Sequence, residues 1–115
     1  MSELLGIARF KFREGKVDEY KRLSAQAMEI VRTREPGTLQ YDVFFNDDES
    51  EAVVVERFRD SDALIEHGAN MSDISAAVLA TADVEGELLG EPSAELKETL
   101  AGSEQPRVLT PYLSM

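Results

Sequence analysis

The segment from residue 38 to residue 58 constrains the fold more than any other. Thr38 to Phe45 and Glu51 to Phe58 each alternate in side-chain character, and the polar run Asn46-Asp47-Asp48-Glu49-Ser50 separates them. Alternation of period two marks a strand, and two such strands joined by a short polar turn form a hairpin. Folding symmetrically about Asp48 and Glu49 sets Phe45 opposite Ala52, Val43 opposite Val54, Tyr41 opposite Glu56 and Leu39 opposite Phe58, all on one face. The opposite face then carries Gln40, Asp42, Phe44, Val53, Val55 and Arg57. Both faces hold apolar residues, so both need cover. The helices of one chain cover one face; the other is a natural surface for a second copy.

The rest of the chain supplies the covering layer. Leu4 to Phe12 alternates, with Ala8, Phe10 and Phe12 on one side, and Glu14-Gly15 closes it. From Lys16 to Arg34 the period changes: Val17, Tyr20, Leu23, Ala27, Ile30 and Val31 share one helical face. Asp18 and Glu19 at its start and Arg32 and Arg34 at its end suit the helix dipole, and Pro36-Gly37 ends it. Asp60 or Ser61 caps a second helix whose stripe is Leu64, His67, Met71, Ile74 and Val78, with a break expected near Gly68 to Asn70. Val84 to Gly90 reads as a strand, Ala94 to Ala101 as a short helix, and Arg107 to Leu113 as a last strand interrupted by Pro111. The order β-α-β-β-α-β with an added α-β implies an α+β fold. It is a ferredoxin-like sandwich with an antiparallel sheet and an extra C-terminal α-β element.

Length and charge narrow the function. The 115 residues suffice for one domain, 1–115, with a modest core. A net charge of −11 opposes binding to nucleic acid or to anionic membrane surfaces. There is no cysteine, and MSELLGIARFKF has no signal-peptide character, so the chain reads as cytoplasmic. A single histidine and no cysteine argue against a zinc site, and no phosphate-binding glycine loop occurs. The acidic tip Asp47-Asp48-Glu49 lacks the spaced oxygens and turn glycine of a calcium loop.

The residues left to carry chemistry lie on the helix-covered face. His67 titrates near neutrality, so it is either a base at a pocket wall or a histidine that ties helix to sheet through Glu56 or a backbone carbonyl. Tyr41 and Glu56 are cross-strand neighbours; a covered carboxylate needs a partner, and the pair either serves a site or fixes strand register. Phe10, Phe12, Leu39 and Phe58 form either an apolar slot for an aromatic ring or plain core. Asn70 and Met71 stand where the mouth of such a slot would be, or mark only a helix break. On the opposite face, Arg9, Asp42 and Arg57 either pair across a dimer or are solvated surface.

The run Arg34-Glu35-Pro36-Gly37-Thr38-Leu39-Gln40-Tyr41, then Glu56-Arg57-Phe58-Arg59-Asp60, then Ala63-Leu64 and His67, resembles the antibiotic biosynthesis monooxygenase family. The likeness covers most of residues 4 to 82 and is looser from Val84 on. It implies a dimeric α/β-barrel, that is, a homodimer joined sheet to sheet, with a site between sheet and helices in each subunit. It also implies monooxygenation without metal, flavin or heme. The substrate would be a quinol or other small phenolic aromatic, the co-substrate dioxygen. By the same resemblance His67 is the base, Glu56 orients it, and Tyr41 holds a substrate oxygen. The heme-degrading members place an asparagine, a tryptophan and an iron-binding histidine where this chain has Ala8, His67 and Ala77, and alanine cannot ligate iron. Because the family also holds members without known activity, a non-catalytic dimer that binds a small molecule or assists an enzyme is the alternative.

Overall fold

The computed structural model describes residues 3–115. Its strands are β1 (Leu4–Phe12), β2 (Thr38–Phe45), β3 (Glu51–Phe58), β4 (Ala82–Leu89) and β5 (Arg107–Leu109). The helices are α1 (Val17–Arg34), α2 (Ser61–Asn70), α3 (Ser72–Leu79) and α4 (Ala94–Leu100). The sheet order is β2-β3-β1-β4-β5, antiparallel throughout except for the edge pair of β4 and β5. This is the α+β, ferredoxin-like architecture with an added C-terminal α-β element.

Register follows the hairpin's side-chain alternation almost to its end. Phe45 faces Ala52, Val43 faces Val54 and Tyr41 faces Glu56, but Phe58 is met by Thr38, not Leu39. A bulge between Thr38 and Gln40 absorbs one residue, and Leu39 turns outward, 42% exposed. The last strand is also shorter than the alternation implied. Pairing stops at Leu109, and Tyr112 and Leu113 beyond Pro111 are exposed.

Each helix begins and ends for local reasons. Ser93 accepts a hydrogen bond from the Leu96 amide and so caps α4. Asp60 caps α2 by accepting from the Ala63 amide at 2.9 Å, a contact worth about 1 kcal/mol. The expected break falls at Met71, which lets α3 turn Ile74 toward Leu23 and Ala27 of α1. At the C-terminus of α1, Glu35 leaves the helical region (φ −127°, ψ 76°), which the proline after it disfavours. Gly37 follows because α2 crosses it closely: a Cβ there would lie 2.7 Å from Cβ of Ala63.

All four helices lie on one side of the sheet. Leu4, Phe58 and Leu88 pack with Ala63 and Leu96, while Phe10, Ala52 and Val54 pack with Tyr20. On the outer side no strand residue is buried, and Phe44 is 55% exposed. There Arg9 pairs with Glu87, Arg57 with Glu3 at 3.1 Å, and Asp42 accepts from Gln40 at 2.9 Å. No helix among the described residues is long and apolar enough to cross a membrane.

Candidate active site

Glu56 sits in the middle of β3 on the helix side, flanked by Tyr41 on β2 and Gly6 on β1. Gly6, Ala8 and Gly86 bear little or no side chain, so the floor of the sheet is low beside Glu56. Above this floor lies an apolar cavity of about 370 Å³, walled by Phe58, Leu64, Leu79 and Val84. Its far edge is formed by Gln105 and Pro106, which precede β5; Gln105 Oε1 accepts from the Gly86 amide at 2.8 Å. Glu56 and Glu87 are the ionisable groups of the described lining, which contains no lysine or arginine. A smaller cavity of about 60 Å³, lined by Phe10, Tyr20 and Tyr41 among others, touches Glu56 from its other side.

Behind Glu56 stands His67, placed by α2 with its ring between Tyr41 (centroids 5.6 Å apart) and Phe58 (5.3 Å). Nε2 lies 3.2 Å from Oε1 of Glu56, and Nδ1 lies 2.8 Å from Oε1 of Glu35. The Glu35 side chain is fully enclosed. It also accepts from Thr38 Oγ1 at 2.8 Å and from Asn70 Nδ2 at 3.1 Å. Burial alone would lower the pKa of His67. The carboxylates at its two nitrogens, Glu56 foremost and then Glu35, outweigh burial and hold it above its ordinary value. Burial, reinforced by the charge of Glu56, pushes Tyr20 up to about 12 and raises Tyr41 further, so both stay phenols at neutral pH. The two carboxylates occupy opposite nitrogens of one ring, and no cluster of potential metal ligands occurs among the described residues.

The structure thus brings His67, Glu56 and Tyr41 together, but it gives the cavities to Glu56 and Tyr41 and both imidazole nitrogens to carboxylates. Phe58 walls the larger cavity and Phe10 the smaller. Phe12 belongs to an aromatic cluster with Tyr20 and Phe45 and lines neither. Leu39 faces outward in the bulge, Met71 packs against Leu23, Ala27 and Ile74, and Asn70 holds Glu35 instead of standing at a mouth. Sequence reasoning missed Glu35, the low floor at Gly6 and Gly86, and the rim at Gln105. Glu35 did leave a signal: an acid placed after Arg32 and Arg34 opposes the negative end of the helix dipole, so its position calls for another partner.

A helix-covered, ferredoxin-like sheet defines the fold class, and it sets an apolar cavity beside a carboxylate–imidazole–carboxylate row. The particular family follows from sequence: the profile of the antibiotic biosynthesis monooxygenase family matches residues 5–72, and the chain belongs to that family. Among solved structures it is similar to MupZ from Pseudomonas fluorescens, with a TM-score of 0.84 and 22% identity over 98% of this chain and 93% of that one. It is also similar to Rv0793 from Mycobacterium tuberculosis (TM-score 0.70, 26% identity, 79% and 96% covered). A variant of SnoaB, a cofactor-independent oxygenase from Streptomyces nogalater, gives a TM-score of 0.68 at 20% identity, with 80% and 95% covered. No curated protein sequence matches significantly.

Proposed function

We propose that this chain oxidises a small quinol or other phenolic aromatic with dioxygen, without a cofactor. Family membership and the similarity to a cofactor-independent oxygenase support a monooxygenase-type role. The observation that carries the finer reading is the Glu56 carboxylate in the wall of an apolar cavity of about 370 Å³, with Nε2 of His67 3.2 Å from it. That volume suits a small aromatic ring system. A lining whose free acid is Glu56, with Glu87 turned to the outer face and paired with Arg9, and with no basic side chain, favours an uncharged substrate over a carboxylate or phosphate.

In this reading Glu56, not His67, takes the phenolic proton, because both imidazole nitrogens are already engaged. The resulting anion passes one electron to dioxygen, and the two radicals combine at a ring carbon to form a C–O bond. The resulting peroxide anion takes the proton back from Glu56, and the hydroperoxide then loses water as its O–O bond breaks and a C=O forms, so a hydroquinone and dioxygen give a hydroxyquinone and water. Tyr41, kept protonated by burial, lines only the smaller cavity on the other side of Glu56, so its part is to flank the base and not to hold a ring seated in the larger cavity. The apolar walls exclude water from the radical pair. The reading includes a homodimer joined through the uncovered sheet face.

Oxygen uptake with a panel of hydroquinones tests this. Glu56→Gln keeps the shape and removes the base, and is expected to lower kcat by about 100-fold or more. Equal rates in both proteins, or no uptake above buffer by the wild type, would count against the reading. Tight quinol binding without turnover would favour the accessory-protein alternative.

A further inference from the structure

We propose that Glu35 is a positioning residue whose enclosed charge keeps His67 protonated on both nitrogens and thereby makes the imidazolium the fixed counter-ion of Glu56. This rests on the reading of Glu56 as the base. An ionised carboxylate in an apolar wall is costly without an opposite charge held against it. His67 can supply that charge only as imidazolium, and it lies in a largely buried place between two aromatic rings. Burial disfavours its charged form, so something must compensate.

Glu35 is built to do this. Its side chain is fully enclosed, it meets Nδ1 at 2.8 Å, and Thr38 and Asn70 fix both of its oxygens. A carboxylate held on both oxygens by neutral donors cannot swing away from the ring. The titratable groups that face His67 are Glu35 from the end of α1, Glu56 from β3 and Tyr41 from β2. Tyr41 stays neutral, so the net charge of the set with a protonated ring is −1. The raised pKa of His67 agrees with this balance. A purely structural Glu35 would fasten α1, β2 and α2 together and have no bearing on where protons reside.

His67 is the only histidine, so its ring nitrogens can be read by nitrogen-15 NMR without assignment. The wild type should show both nitrogens protonated at pH 7 and a midpoint above the ordinary value. Glu35→Gln, which keeps one acceptor oxygen for His67 and Thr38 but removes the charge and sets an NH2 group against Asn70, should lower that midpoint by about one pH unit or more. Glu35→Asp, which retains the charge, should keep more of the upward shift than Glu35→Gln. In turnover, the alkaline limb of kcat against pH should move down with the NMR midpoint in Glu35→Gln. A wild-type ring singly protonated at pH 7, or a midpoint unmoved in Glu35→Gln, overturns the proposal. Should Glu35→Gln fail to fold, Glu35→Asp carries the test: its shorter reach moves the charge away from Nδ1 and should lower the midpoint, and an unmoved midpoint overturns the proposal. If the wild type oxidises no quinol, the functional reading fails while the spectra continue to judge the role of Glu35.

Discussion

His67 couples the stability of the fold to pH. Its pKa is raised in the folded protein, because the two carboxylates outweigh burial. The proton is therefore bound more tightly by the folded than by the unfolded chain. The resulting stabilisation is fully present below about pH 6.5, the unfolded value, and is lost as pH rises through the folded one. Urea denaturation of the wild type and His67→Phe across pH 5.5 to 9 should show the gap between them narrow as pH rises; a gap constant with pH would contradict the paired-ring geometry. The trio His67, Glu56 and Tyr41 was legible in the sequence because a period-two register and a helical stripe both aim at the same face. Glu35 was not, since its partner His67 arrives 32 residues later and no local pattern tells where a side chain at a helix end will point. The proposal moves the base from His67 to Glu56 for a related reason. Spacing brings groups together, but which of them borders empty space depends on the whole floor, including Gly6 and Gly86.

Among the elements, the crossing of α2 over the start of β2 sets the distance between His67 and Glu35. Gly37 allows that approach, and Ala63 Cβ is attached directly to the helix backbone, so it cannot rotate aside. Gly37→Ala should therefore push α2 outward, cost about 1–3 kcal/mol by overpacking, and lower Tm accordingly. An unchanged Tm would mean the contact is looser than described. The bounds of β1, β2 and β3 follow from alternation and from the turn residues beside them. The bulge at Leu39 does not, because the alternation rule assumes an unbroken ladder, and an inserted residue sends every side chain before it to the opposite face. The brevity of β5 likewise escaped the pattern: with one neighbour only, an edge strand ends where pairing ends.

In the whole molecule the sheet divides the chain into a covered half and an open one. Leu5, Ile7, Val53, Val55 and Leu89 on the open side are only partly buried, and Phe44 is 55% exposed. A face of this character, ringed by Arg9–Glu87 and Arg57–Glu3 ion pairs, suits a second copy better than water. Sedimentation should find the wild type dimeric, and Phe44→Glu should shift it toward monomer; a monomeric wild type would remove the sheet-to-sheet dimer from the proposal. That both faces need cover could be read from the hairpin alone, because Phe44, Val53 and Val55 alternate with Val43, Val54 and Phe45.

The Gln105 side chain, clasped to the amide of Gly86, has an evolutionary corollary. The residues of the proposed proton chemistry lie between 35 and 67, within the stretch that matches the family profile, whereas the rim lies some forty residues later, outside that stretch. Changes in the tail can reshape the doorway while the carboxylates and imidazole stay as they are. On the proposed function, preference among guests and reactivity toward them are thus free to drift independently.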